Sequence, residues 1–141
     1  MSKDGDVKGV FARFCALSEA IKASVEADGG KFMFSENLGF LGTCASNLGT
    51  GLRASVIVKL EKLNENVELL EKICAKLDLQ PRGSAGEHSA AVGAKWDISN
   101  KQRIGFSEAQ LVQKMVDGVT KLIACEEKLA AGEELVEGTD Y

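Results

Sequence analysis

Apolar residues recur near the start of the chain with the period of an α-helix. The stripe has five intervals over 18 residues, close to about 3.6 residues per turn, and consists of Val7, Phe11, Phe14, Leu17, Ile21 and Val25. Asp6 precedes it as a candidate N-cap, and Gly29 and Gly30 follow it as a stop signal. The pattern predicts a first helix over 6–28.

The most regular pattern lies over 52–79, where apolar positions alternate in steps of four and three. Its members are Val56, Leu60, Leu63, Val67, Leu70, Cys74 and Leu77. This spacing is typical of the seam along which helices pack in a left-handed supercoil, and Pro81 would end such a helix. We therefore expect one long helix over 52–79. Its apolar seam would be either an interface or part of the core.

Two further segments complete the predicted fold. Apolar positions over 35–48 suit a second helix, although Gly39 and Gly42 weaken it. Ser107 and Gln110 form a capping-box pattern that predicts a last helix over 107–132. We expect 80–106 to be a connector and 133–141 to be a frayed acidic tail. The predicted fold is all-α: a single domain, 1–141, forming an elongated and mainly antiparallel bundle of four main helices.

Composition narrows the class of protein. Hydrophobic residues make up 45% of the chain and charged residues 27%, which is typical of a globular domain. The formal net charge of −4 argues against nucleic acid as a partner. No apolar run is long enough to insert into a membrane, and the N-terminus lacks a secretory signal pattern. The expected location is therefore intracellular and cytoplasmic, with reduced cysteines.

Residues suited to catalysis or metal binding form no convincing set. His88 is the only histidine, and it lies outside any nucleophile or Glu-x-x-His motif, so we expect it to be solvated or to cap a helix. The four cysteines lack zinc-site spacing, and Cys74 falls on the apolar seam as a small hydrophobic residue. The sequence therefore predicts no metal, no cofactor and no catalytic residue.

Glycines over 49–54 match the G-x-G-x-x-A pattern of dinucleotide sites. Such a site requires a buried strand before the glycines, and the preceding residues do not predict one, so a turn between helices is favoured. An anion bound at the start of the long helix, a weak alternative to the turn, is favoured over a dinucleotide. The candidate residues for that anion site are Gly49, Gly51 and Arg53.

Aromatic residues concentrate in the first third of the chain. They are expected in the core, and they also suggest a pocket for a small apolar ligand, with candidate lining residues Phe11, Phe14, Phe34, Phe40 and Trp96. Trp96 would anchor the connector on the bundle or contact a partner.

The leading functional hypothesis is a non-enzymatic protein that acts through protein–protein contacts. Self-association or adaptor binding would use the long heptad helix. The alternative is a bundle that binds a small apolar ligand or cofactor between helices 1, 2 and the connector. An enzyme that uses carboxylates or an anion site is the third hypothesis.

Overall fold

The computed structural model describes residues 2, 5–83 and 91–141. The helices of this part are α1 (Val7–Ala27), α2 (Glu61–Glu65), α3 (Val67–Lys76) and α4 (Glu108–Ala130). The strands are β1 (Phe34–Ser35), β2 (Gly39–Phe40), β3 (Ser55–Lys59), β4 (Leu79–Gly83) and β5 (Lys95–Asn100). Two single-turn 3₁₀ helices span Ala45–Asn47 and Val92–Ala94.

Three of the strands form an antiparallel sheet in the order β3-β5-β4. Residues directly opposite one another on paired strands present their side chains to the same face. On the first, which we call the helical face, Ile98 lies opposite Val56 and Pro81. On the second, the polar face, Asp97 lies opposite Ile57 and Arg82.

The hydrophobic core fills the space between the helical face and helices α2, α3 and α4. Ile98 and Leu63 are fully buried there, and Leu122 of α4 joins the same cluster. Gly118 lets α4 approach the sheet closely, because a Cβ atom at this position would lie 2.7 Å from Leu79 Cδ1. The core thus packs α4 against the helical face of the sheet, and the three helices α2, α3 and α4 leave the polar face uncovered.

The predicted all-α bundle is wrong, since the molecule combines helices with antiparallel sheets. The long helix expected over 52–79 is divided among β3, α2, α3 and the start of β4. Asn66 interrupts it with a non-helical backbone, and its side chain caps α3 by accepting a hydrogen bond from Leu69 N at 3.1 Å. After α3 the chain turns through Asp78, whose φ is 55°. The apolar spacing came from consecutive short elements that contribute to one core.

The helix expected over 35–48 is also absent. The chain instead forms the β1–β2 hairpin and a 3₁₀ turn, with Gly39 in the left-handed region at φ 73°. A Cβ atom on Gly39 would lie 2.6 Å from Gly49 Cα, so two backbones meet where a helix would have placed side chains.

The predicted connector, 80–106, contains most of β4 and all of β5. Pro81 lies within β4, which it does not terminate, and β4 is an edge strand on which a missing N–H is tolerated. His88 lies outside the described residues.

The two ends of the chain differ from each other. Helices α1 and α4 lie where the sequence placed helices over 6–28 and 107–132, and α4 starts with the Ser107–Gln110 capping box. The tail expected to fray is instead held by ion pairs, as Glu137 contacts Lys72 and Lys76 of α3. No described helix is long and apolar enough to cross a membrane.

Candidate functional site

Three arginines from separate segments lie close together beside the sheet, since the charges of Arg53 and Arg82 act on Arg103. Arg53 lies two residues before β3, Arg82 lies in β4, and Arg103 follows β5. All three are partly buried. Arg82 faces the polar side of the sheet because it pairs with Asp97 across the strands. We call these three residues the arginine cluster.

Asp97 provides the negative charge beside this cluster. Arg53 Nη2 donates a hydrogen bond to Asp97 Oδ2 at 2.8 Å, and about a quarter of each side chain is exposed. The other carboxylate oxygen, Oδ1, is buried without a hydrogen-bond partner among the described residues, as are Arg53 Nε and Arg103 Nε. The Asp97 carboxylate therefore contacts Arg53 and lies opposite Arg82, and the buried Nε groups of Arg53 and Arg103 remain available to an anion.

The electrostatics of Arg103 reflect this crowding. Burial is the largest cause that lowers the pKa of its guanidinium, and the positive charges of Arg53 and Arg82 lower this pKa further. A group that remains protonated under such conditions gains from any negative charge placed beside it. The cluster is thus a candidate anion-binding site.

Backbone contacts hold the segments of the site together. Thr50 N donates to Arg103 O at 3.0 Å, and Thr50 Oγ1 also contacts Arg103 O, at 3.2 Å. Gly49 permits this approach because a Cβ atom there would lie only 2.2 Å from Arg103 O. Phe40 N in turn donates to Gly49 O at 2.8 Å, which ties the β1–β2 hairpin to the same loop.

A cavity of about 420 Å³ lies between that hairpin and the loop that follows Arg103. Its walls carry the aromatic rings of Phe34, Phe40 and Phe106 together with the exposed carboxylate of Glu36. Thr50 also lines the cavity, so the cavity lies near the backbone at Arg103, which Thr50 contacts. A carboxylate among aromatic rings suits a planar organic cation.

The described residues offer no metal centre. No three histidine, cysteine, aspartate or glutamate side chains of this part come together in a way that could hold a metal ion. The four cysteines, all among the described residues, form no disulfide bond, and Cys15 and Cys44 are exposed whereas Cys74 and Cys125 are buried. Burial raises the pKa of Cys74 to about 12, so this thiol stays protonated at neutral pH.

The structure distributes the predicted seam over several elements. Leu60, Leu63 and Leu70 are buried in the core, whereas Val67 is 40% exposed on α3. Val56 lies in β3, and Leu77 caps the end of α3.

The predicted apolar pocket is likewise divided. Phe34 and Phe40 meet edge to face across the hairpin at 5.2 Å, whereas Phe11 and Phe14 line a different cleft, of about 940 Å³, between α1 and β3. Trp96 is buried in the core, where its indole N–H donates to Asn64 Oδ1 at 3.1 Å.

Of the predicted anion-site residues, Arg53 joins the arginine cluster and Gly49 supports it from the backbone. The helix expected to begin at Leu52 is absent, since β3 starts at Ser55. Sequence reasoning missed Arg82, Asp97, Arg103 and Glu36, which are distant along the chain and come together only through sheet pairing and loop contacts.

Comparison with known proteins defines the family. The family model "ATP:guanido phosphotransferase, C-terminal catalytic domain" matches residues 1–129. The chain belongs to this family.

Relatives of this guanido phosphotransferase domain include two curated creatine kinases. The testis isozyme of Oncorhynchus mykiss is 46% identical over 135 residues, which cover 96% of this chain and 35% of the relative. The M-type enzyme of Gallus gallus is 49% identical over 129 residues, covering 92% of this chain and 34% of the relative. The chain thus spans about a third of the length of these relatives.

Solved structures show the same fold in other guanido phosphotransferases. Lombricine kinase superposes with a TM-score of 0.86 at 47% identity, over 94% of this chain and 36% of that chain. The duplicated taurocyamine kinase of Schistosoma mansoni with bound transition-state-analogue components gives a TM-score of 0.71 at 43% identity. That match covers 79% of this chain and 15% of that chain.

These findings correct the functional prediction. The family is that of a catalytic phosphotransferase domain, so the expected non-enzymatic adaptor is wrong, and so is the coiled-coil assignment. The predicted role of binding a protein partner as an adaptor is overturned because the relatives are kinases.

Proposed function

We propose that this chain forms the part of a guanidino kinase that binds the phosphates of ATP and contributes to transfer of its terminal phosphoryl group. The observation that carries the proposal is the arginine cluster, whose three positive charges lie close enough to act on one another and whose buried Arg53 Nε and Arg103 Nε groups have no partner among the described residues. Phosphoryl transfer depends largely on positioning and on stabilising negative charge, and arginine is suited to phosphate by its planar set of donors.

The cavity beside the cluster supplies a place for the acceptor. A guanidino compound is a planar cation, for which the Glu36 carboxylate and the rings of Phe34 and Phe40 are suitable neighbours. In the transfer, an acceptor nitrogen forms a bond to the terminal phosphorus while the bond from that phosphorus to the bridging oxygen of ADP breaks. The acceptor nitrogen also loses one proton, which is released to solvent.

Calorimetric titration of the 141-residue chain with ATP tests the nucleotide half of the proposal. Arg103→Ala should weaken ATP binding about tenfold or more, since it removes a partly buried charge-assisted donor. Lys121→Ala, an exposed change on α4, is the control and should leave the affinity within about twofold. Equal affinities of the wild type and Arg103→Ala would contradict the assignment.

Phosphorus NMR tests the transfer itself. ATP incubated with the chain and with creatine, lombricine or taurocyamine in turn should yield ADP and one phosphorylated guanidino compound. Glu36→Gln should reduce the rate with little change in ATP affinity, because its carboxylate lines the acceptor cavity and not the cluster. ATP binding without any transfer would restrict the function to nucleotide binding. The intracellular location predicted from the sequence stays a prediction.

A further inference from the structure

Asn100 is a buried polar residue at the end of β5, with only 2% of its surface exposed. Its side-chain nitrogen donates to Leu52 O at 3.1 Å and to Gln102 O at 2.7 Å. Its side-chain oxygen accepts from Ala54 N at 2.8 Å. Both donors and the acceptor of one amide are thus used on the backbone of two different segments.

The partners of Asn100 surround two members of the arginine cluster. Leu52 and Ala54 are the neighbours of Arg53 on either side, and Gln102 directly precedes Arg103. A single side chain therefore fixes the path of the backbone at both arginines. Thr50 supports the same junction from the other end through its contacts with Arg103 O.

The distance between two guanidinium groups matters for phosphate binding. Donors that are held in place before the ligand arrives need no reorganisation, and a displacement of about 1 Å weakens a site strongly. Arg53 lies outside the regular strand, and the pairing of β3 with β5 ends beside it in a single backbone hydrogen bond, from Asn100 N to Ala54 O at 3.3 Å. The Asn100 side-chain amide adds three hydrogen bonds to this restraint, one of them to Leu52 on the other side of Arg53.

We propose that Asn100 is a positioning residue that sets the separation of Arg53 and Arg103 and thereby the affinity of the arginine cluster for phosphate. The purpose of this restraint rests on the proposed function. The restraint itself can be measured without nucleotide, so the two can fail separately.

The test compares Asn100→Ala with Asn64→Ala in the 141-residue chain. Asn64 is a matched control because its side chain also holds a partner by a hydrogen bond, Trp96 Nε1 at 3.1 Å, but contacts neither arginine segment. Asn100→Ser, which keeps one hydroxyl near the same backbone groups, is used if Asn100→Ala does not fold.

The first readout is the Nε–H NMR signals of Arg53 and Arg103 in the absence of nucleotide. Both signals should shift or broaden in the Asn100 variant and remain in place in Asn64→Ala. The second readout is ATP affinity by calorimetry, which should fall about tenfold in the Asn100 variant and less than twofold in the control.

Each result decides one question. Unchanged arginine signals in a folded Asn100 variant would overturn the positioning role, as would shifted signals with unchanged ATP affinity. Equal losses of affinity in the Asn100 and Asn64 variants would also overturn it, because they would indicate a general effect of lost stability. Shifted arginine signals in a chain whose wild type binds no ATP would instead overturn the proposed function.

Discussion

The two faces of the three-stranded sheet use adjacent residues of β5 for opposite purposes. Ile98 on the helical face is fully buried beneath the helices, whereas Asp97 on the polar face is partly exposed beside the arginine cluster. Because strand side chains alternate, a step of one residue moves from the interior to the site. Stability and binding should therefore respond separately to changes on the two faces.

Isoleucines on the two faces provide the sharpest test of this separation, with the largest expected effect. Ile98→Ala removes fully buried methyl groups and should reduce the free energy of unfolding by about 3 to 4 kcal/mol. Ile57→Ala, on the polar face at 61% exposure, should change it by only about 0.5 kcal/mol. Urea denaturation of both variants measures the difference. Similar losses would mean that the polar face is also packed against something in solution.

The sequence predicted α1 and α4 well because each forms many consecutive turns with clear end signals. Asp6 accepts a hydrogen bond from Gly9 N at 2.8 Å, and Ser107 and Gln110 form the complete capping box. Local interactions of this kind lie within a few residues, so a sequence pattern can reveal them.

The sheet could not be recognised from the heptad spacing. Its one local signal was the run Val56-Ile57-Val58, since β-branched residues favour strands. Leu60 and Leu63 continue the four-and-three spacing because consecutive short segments direct apolar residues into a shared core. Apolar spacing alone therefore did not distinguish one long helix from several short elements.

The candidate site was even harder to predict from the sequence than the sheet. Arg53 and Asp97 are 44 residues apart along the chain, and their contact depends on the pairing of β3 with β5. Gly49 was proposed from the sequence as part of an anion site, whereas the structure shows that it permits the close passage of the backbone at Arg103, which no local pattern describes. Pairing between strands that are distant along the chain cannot be recognised from local sequence patterns.

Substitution of Gly49, whose backbone lies against Arg103 O, should change stability by an intermediate amount. Gly49→Ala would force a Cβ atom against Arg103 O and strain a backbone with φ of 101°, so unfolding free energy should fall by roughly 2 to 3 kcal/mol. ATP affinity should fall as well, since the arginine segments would separate.

Gly42→Ala is the control, because its Cβ would meet nothing within 4 Å. Its stability should stay within about 1 kcal/mol of the wild type. Equal stability of the two variants, measured by urea denaturation, would contradict the close backbone approach.

The smallest expected effect concerns the C-terminal tail, which contacts helix α3 through exposed ion pairs. Glu137 accepts hydrogen bonds from Lys72 and Lys76, and these bonds lower the pKa of its carboxyl from 4.5 to about 2. Because this pKa is lower in the folded chain, the contact stabilises the tail fully above pH 4.5 and is lost as the pH falls toward 2. Exposure and salt screening keep its contribution small, so global unfolding should hardly report it.

Hydrogen exchange of the tail amides is the suitable measurement because it detects local opening. In the wild type, the opening of residues 136–140 should increase as the pH falls from 4.5 to 2, after correction for the intrinsic exchange rate. Glu137→Gln should show increased opening already at neutral pH and a weaker dependence on pH, with the remainder due to Asp140, whose pKa is also lowered, by Lys128. A wild-type tail that opens equally at all these pH values would show that the ion pairs do not hold it. The ion pairs of the tail would then contribute nothing to the helical side, and the stability of that side would come from its buried core alone.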